Sequence, residues 1–244
     1  MNSRSLSHSN LSVRAGLLAL GFALTLGALQ LRAQGDLQAQ VAELKESTAK
    51  NKEALAQYSW QETVKIILKG EEKKTEHFEV RQGPDGKPIK TPLDPAPAAQ
   101  QGNSGGKFKQ RIVAKKKEEY KEYADSMKEL AGHYVPPDKD AIQDAYAKGN
   151  ISIIPGGPIP GEVKLVIHNY YKPGDGVTLR FDKNQKQLQA ISVASWMDDP
   201  KDAMNLTIAF AKLPDGTSHV SNVTVEGVAK QLTVNTTNSD YQHL

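Results

Sequence analysis

From residue 150 onward the chain alternates between short runs of period two and short polar turns, a punctuation that leaves few folds open. Residues 162–171, 177–182, 188–196, 205–213, 217–225 and 228–236 read as strands. Turn sequences such as Pro173-Gly174-Asp175-Gly176, Asp182-Lys183-Asn184 and Pro214-Asp215-Gly216 part them. Connections this short cannot carry a crossover, so neighbouring strands run antiparallel. A doubly wound parallel sheet is excluded.

The first half carries the same period. Tyr58, Trp60, Val64, Ile66 and Leu68 share one face of a strand, and Ser59, Gln61, Thr63, Lys65 and Lys69 share the other. A polar turn is expected at Gly70-Glu71-Glu72-Lys73, a second strand at 77–82, and a third short one at 87–93 after Pro84-Asp85-Gly86. Before them, residues 36–57 read as an amphipathic helix with Leu37, Val41, Leu44 and Leu55 near one face. Residues 94–106 are rich in Pro, Ala, Gln and Gly and read as a flexible loop. Helical spacing returns over 107–133 and ends at Pro136-Pro137. Asp138 is placed to cap a shorter helix over 139–148, with Gly149 at its exit.

The N-terminus reads as an export signal. Arg4 and Arg14 precede an uncharged apolar run over 15–29, and Leu31-Arg32-Ala33 ends in a small residue. The expectation is a signal peptide over 1–33 and one domain over 34–244, periplasmic or secreted after cleavage. An uncleaved anchor is the alternative. The run is shorter than the roughly 20 apolar residues of a spanning helix. Removing it changes the charge balance. Of the 31 basic residues, Arg4, Arg14 and Arg32 lie in the leader, while all 28 acidic ones follow it, so the remainder is formally neutral. Nucleic-acid binding, which leans on clustered excess cations, is not expected. The absence of cysteine removes disulfides, thiol catalysis, zinc–thiolate sites and a lipidated cysteine.

Nothing in the sequence spells a catalytic centre. Six histidines (His8, His77, His133, His168, His219, His243) fall in no ligand spacing, although His168 and His219 lie on separate strands that could meet. The acidic pairs Glu71-Glu72, Glu118-Glu119 and Asp198-Asp199 sit at turns or on a charged helix, where solvation accounts for them. No serine lies in a nucleophile elbow. Neither enzyme activity, nor a metal, nor a cofactor is expected.

The order of elements, with the helix ending in Leu55-Ala56-Gln57-Tyr58-Ser59-Trp60 and the hairpin region 60–93, resembles the lipoprotein-carrier superfamily of bacterial envelopes, which includes LolA, LolB and the sensor domain of RseB-type regulators. The resemblance implies an α+β fold: a curved antiparallel sheet, an unclosed half-barrel, covered by an N-terminal helix and a central helical pair. It also implies an apolar cavity for acyl chains. Arg81 is placed on an early strand, as the lid-anchoring arginine of that superfamily is. The expected lining is Trp60, Val64, Ile66, Leu68, Phe78 and Val80 from the early strands, and Leu165, Ile167, Leu179, Phe181, Ile208 and Phe210 from the later ones.

Residues 107–117 (KFKQRIVAKKK) hold six basic residues and no acid. Lys107, Arg111 and Lys115 form one stripe at helical spacing, with Lys116 and Lys117 beside them. This run is the candidate interaction patch, toward anionic headgroups at a membrane periphery or an envelope protein. Balance by Glu118, Glu119 and Glu122 is the plainer reading. Two functions follow: an exported carrier of a lipid or lipoprotein acyl chain, or a secreted interaction or scaffold domain with a filled core. The sequence leaves the oligomeric state open.

Overall fold

Two residues close the first hairpin. Lys69 (φ 55°) and Gly70 (φ 79°) both take left-handed backbone, the conformation a two-residue turn between twisted strands demands. Strands β1 (Tyr58–Leu68) and β2 (Glu71–Gln82) therefore pair directly, with Leu68 opposite Glu71. The expected four-residue turn over 70–73 is corrected: Glu71 to Glu76 belong to the strand. They carry no apolar alternation because both faces of that stretch meet solvent or lie at half burial.

The computed structural model describes residues 50–95, 107–156, 160–185 and 187–244, without the side chains of 107–110 and 139. The expected leader over 1–33, residues 34–49 and most of the expected loop over 94–106 lie outside the described residues. Helix α1 is described over 50–55. After β1, β2 and β3 (Pro88–Pro92) come α2 (Lys107–Gly132) and α3 (Lys139–Ala147). Asp138 caps α3 as expected, accepting the Ala141 amide at 2.8 Å, and Gly149 turns with φ 71° after it. Then follow β4 (Ile151–Pro155), β5 (Glu162–His168), β6 (Gly176–Asp182), β7 (Gln187–Trp196), β8 (Ala203–Lys212), β9 (Ser218–Gly227) and β10 (Leu232–His243).

All ten strands form one antiparallel sheet in the order β3-β2-β1-β10-β9-β8-β7-β6-β5-β4. It does not close, so β3 and β4 are its edges, and the fold is the expected α+β half-barrel. The one long-range join is β1 on β10, with Ile66 opposite Val234 and Leu68 opposite Leu232.

The register collects apolar residues on one face. One row runs Ile167, Val177, Val193, Leu206, Val225, Val234, Ile66 across seven strands. Tyr123, Met127 and Leu130 of α2, Tyr134 of the link after it and Ile142 of α3 join these residues in one core cluster. At about 25 cal/mol per Å2 of apolar area removed from water, this cluster is the main stabilising feature of the sheet. A second anchor joins the link between α2 and α3 to the sheet. The buried Asp175 carboxylate accepts the Tyr134 hydroxyl at 2.6 Å and the amides of Tyr170, Tyr171 and Lys172 at 2.6 to 3.0 Å. Tyr134 also meets Ser195 Oγ at 2.7 Å.

Candidate functional site: the β1–β3 arm

The twelve residues expected to line a cavity all fall on the helix-covered face. They do not share one environment. Leu165, Ile167, Leu179, Phe181 and Ile208 belong to the core cluster beneath α2 and α3. Ile66, Leu68 and Phe210 are half-buried along its border. Val64 and Val80 are buried outside it, and Trp60 and Phe78 are half-buried outside it. The face thus extends past the helix-sealed core into an arm formed by β1, β2, β3 and the end of β10.

That arm has a polar centre. Glu62 lies on the same face of β1 as Val64 and Trp60, opposite Phe78 of β2. Its carboxylate is ion-paired to Lys90 of β3, and the two side chains are 9 and 11 % exposed. Lys90 reaches Glu62 across the whole width of β2, passing 5.8 Å from the centroid of the Phe78 ring. A charged pair this enclosed needs its partner, because either charge alone would face desolvation without compensation.

Aromatic rings close the arm at its far end. A bulge at Asp240 (φ 52°) shifts the β1–β10 register between Ser59 and Gln61. Tyr241 is thereby stacked on Trp60 at 5.5 Å between centroids and 17° between planes. Tyr58 meets both Tyr241 and His243 edge-on. The Val220 carbonyl accepts Asn238 Nδ2 at 3.0 Å and the Tyr241 hydroxyl at 3.3 Å, with His219 Nδ1 at 3.1 Å. Burial, and then the charge of Glu62, push the Tyr241 hydroxyl above its ordinary pKa. Burial lowers the His219 pKa, opposed by its bond to Val220. Trp60 Nε1 and Asn238 Oδ1 are buried with no hydrogen-bond partner among the described residues, one a donor and one an acceptor.

Helix α1 is fastened over this end. Asn51 donates to the Ser218 carbonyl at 3.1 Å and accepts the Ser218 amide at 2.7 Å, as a neighbouring strand would. Tyr58 donates to Asp215 at 2.8 Å, which ties the β8–β9 turn to the start of β1 and raises the Tyr58 pKa.

The other expected positions resolve simply. Arg81 is exposed on β2. His168 and His219 do not meet, because β6, β7 and β8 lie between their strands. Among the described residues no three His, Asp or Glu side chains gather as metal ligands. Arg111, Lys115, Lys116 and Lys117 are exposed, and Lys107's side chain lies outside the described ones. Sequence reasoning passed over Glu62, Lys90, Asn238 and Tyr241, and considered His219 only as a partner of His168. One signal was available: Glu62 is the single charge in the otherwise apolar series Trp60, Val64, Ile66, Leu68.

No known protein-family model matches the sequence, and no curated protein matches it. Among solved structures, the chain is similar to a DUF1329 family protein from Desulfovibrio piger, at 12% identity and a TM-score of 0.37, covering 80% of this chain and 90% of that one.

Proposed function

We propose that the chain is an exported, non-enzymatic envelope protein that holds an acyl chain, free or on a lipoprotein, against the β1–β3 arm. The observation that carries this reading is the division of the helix-covered face. Its larger part is sealed into a core, while Trp60 and Phe78 stay half-exposed beside an enclosed ion pair. An amphiphile matches that combination. Its chain would gain about 25 cal/mol per Å2 of apolar area buried along the half-buried Trp60, Phe78, Ile66 and Leu68. Its polar end meets Glu62, Lys90, Trp60 Nε1 and Asn238 Oδ1, two of which otherwise lack partners. The leader-like sequence over 1–33 and the resemblance of the element order to lipoprotein carriers support the same reading. Helix α1, whose described turn is held by the Asn51–Ser218 hydrogen bonds and the buried Leu55, is the element whose movement would release the ligand.

Native mass spectrometry of the protein from its own export compartment, repeated after organic extraction, tests the proposal. An extractable mass of lipid size is expected, together with quenching of Trp60 fluorescence by a brominated fatty acid. A bare polypeptide mass with no fatty-acid uptake refutes it. That outcome favours the second reading, a scaffold with a filled core, for which the close packing of Leu165, Ile167, Leu179, Phe181 and Ile208 under the helices already speaks.

A further inference from the structure

Helix α2 is two helices in its surroundings. Its second half buries Tyr123, Met127, Leu130 and Ala131 in the core. In its first half no described side chain is buried: every residue from 111 to 119 is exposed. Yet the apolar face continues. Eighteen residues make five helical turns, about 27 Å, so Ile112 lies in line with Leu130 and Val113 in line with Ala131. Leu130 and Ala131 are 9% and 2% exposed, whereas Ile112 and Val113 are 43% and 60% exposed. The stripe that packs on the sheet therefore runs on past the sheet's end.

The border is visible. Tyr123 sits against Gly227, and one turn earlier Glu119 is ion-paired to Lys230. Lys230 and Glu119, with Lys69, Tyr120, Ala229 and Gln231, line a cleft of about 490 Å3 where the helix leaves the body. Only Glu118, ion-paired to Lys121, lies past that point; from Lys107 to Lys117 the helix holds no acidic residue. Arg111, Lys115, Lys116 and Lys117 make no ion pair among the described residues, and Lys107 and Lys109 add to the run in sequence. Cations at this end oppose the helix dipole. Apolar side chains in water and cations against a dipole are both unfavourable in the protein alone, and one kind of surface relieves both.

We propose that the first half of α2 is a membrane-docking element that rests on an anionic bilayer. At 100° per residue Lys115 and Lys116 flank Ile112 by about 60° and 40° on opposite sides. Ile112 and Val113 can enter the interfacial layer while cations on both flanks meet phosphates, the arrangement of interfacial helices. At the same 100° per residue, Lys116 falls between Ile112 and Val113, and Lys117 and Lys115 lie about 90° and 110° to either side of that face, where long side chains reach a headgroup plane on both sides.

The test is co-sedimentation of the natively processed protein with vesicles of phosphatidylcholine, with and without phosphatidylglycerol. Binding only to the anionic vesicles, weakening with salt, is expected. Each basic residue near such a surface contributes about fivefold in affinity, so the combined Lys115→Glu, Lys116→Glu and Lys117→Glu variant should lose about 100-fold or more. These side chains touch no core residue, and an unchanged circular dichroism spectrum should accompany the loss. Fatty-acid uptake at the β1–β3 arm should persist in the variant, which separates this proposal from the preceding one. Equal binding to both vesicle types, retention of binding by the variant, or capture of a soluble polyanion without capture of vesicles would each overturn it.

Discussion

Removing one member of the Glu62–Lys90 pair should cost far more than removing both. Each side chain is about one-tenth exposed, so Glu62→Leu leaves an ammonium without its counter-ion, and Lys90→Met leaves a carboxylate. Breaking a buried pair typically costs 3–5 kcal/mol, while apolar replacement of both partners is often neutral. The residual exposure lets water compensate in part, so about 3 kcal/mol is expected for each single variant. For a chain of this size that corresponds to a fall in Tm of about 6–12 °C. The double variant Glu62→Leu/Lys90→Met should lie within about 1 kcal/mol of the parent, because its side chains join Val64, Val80 and Phe78 in an apolar patch. Urea unfolding followed by fluorescence reads all three, since Trp60 shares this arm. Single variants costing less than about 1 kcal/mol would mean that the pair is hydrated and the arm is not an enclosed site. A double variant as damaged as the two singles combined would refute the electrostatic account and assign the cost to packing.

Three further outcomes follow from the geometry. Asp175→Ala removes four hydrogen bonds from a buried acceptor; it should cost about 3–5 kcal/mol and speed amide exchange at Tyr170, Tyr171 and Lys172, and unchanged exchange there would refute the anchoring role. The depressed pKa of His219 means the unfolded state binds the proton more readily, so its contribution is present above the unfolded value near 6.5 and is lost as pH falls below it; the urea midpoint should drop between neutral and mildly acidic pH, and His219→Gln should flatten that part of the profile. At Gly227 a Cβ would lie 2.6 Å from Tyr123 Oη and 2.8 Å from Met127 Sδ, so Gly227→Ala should cost about 2 kcal/mol in chemical denaturation, and a neutral result would show that α2 can lift from the sheet.

What the sequence disclosed and what it withheld divide along range. The turns at 173–176 and 214–216 and the cap at Asp138 are written in a few adjacent residues, so the antiparallel order and the helix starts were legible. Strand β10 was placed slightly early, because Val228 to Gln231 form the turn into it. Strand β4 has little local signature: its five residues lie on an edge, mostly exposed, and carry little alternation. The start of β2 was hidden by its all-polar composition. The β1–β10 join had no local trace, since nothing near Ile66 names Val234 as its partner. Alternation puts the twelve expected lining residues on one face of the sheet. Their split into core and arm depends on where α2 and α3 end, which no strand records.

The polar half of the candidate site was withheld for a related reason. Glu62 and Lys90 come from strands that are not neighbours, and Tyr241 is stacked on Trp60 only because a bulge resets the register. An alternation count treats Glu62 as a flaw in an apolar series. Physically it is the opposite, since a charge on a buried face persists only where something across the sheet compensates it. The overhang of α2 follows the same rule in reverse, with apolar residues kept in water where no part of the described body covers them. The two anomalies sit at opposite ends of β1, Glu62 and Trp60 toward its start and the α2 cleft beside Lys69 just past its end. Under the two proposals, a bilayer meeting α2 stands next to Leu68, and an acyl chain drawn from it would pass Ile66 and Val64 before reaching the ion pair. The order of side chains along one strand then gives the path a direction, apolar at the membrane and polar at its closed end.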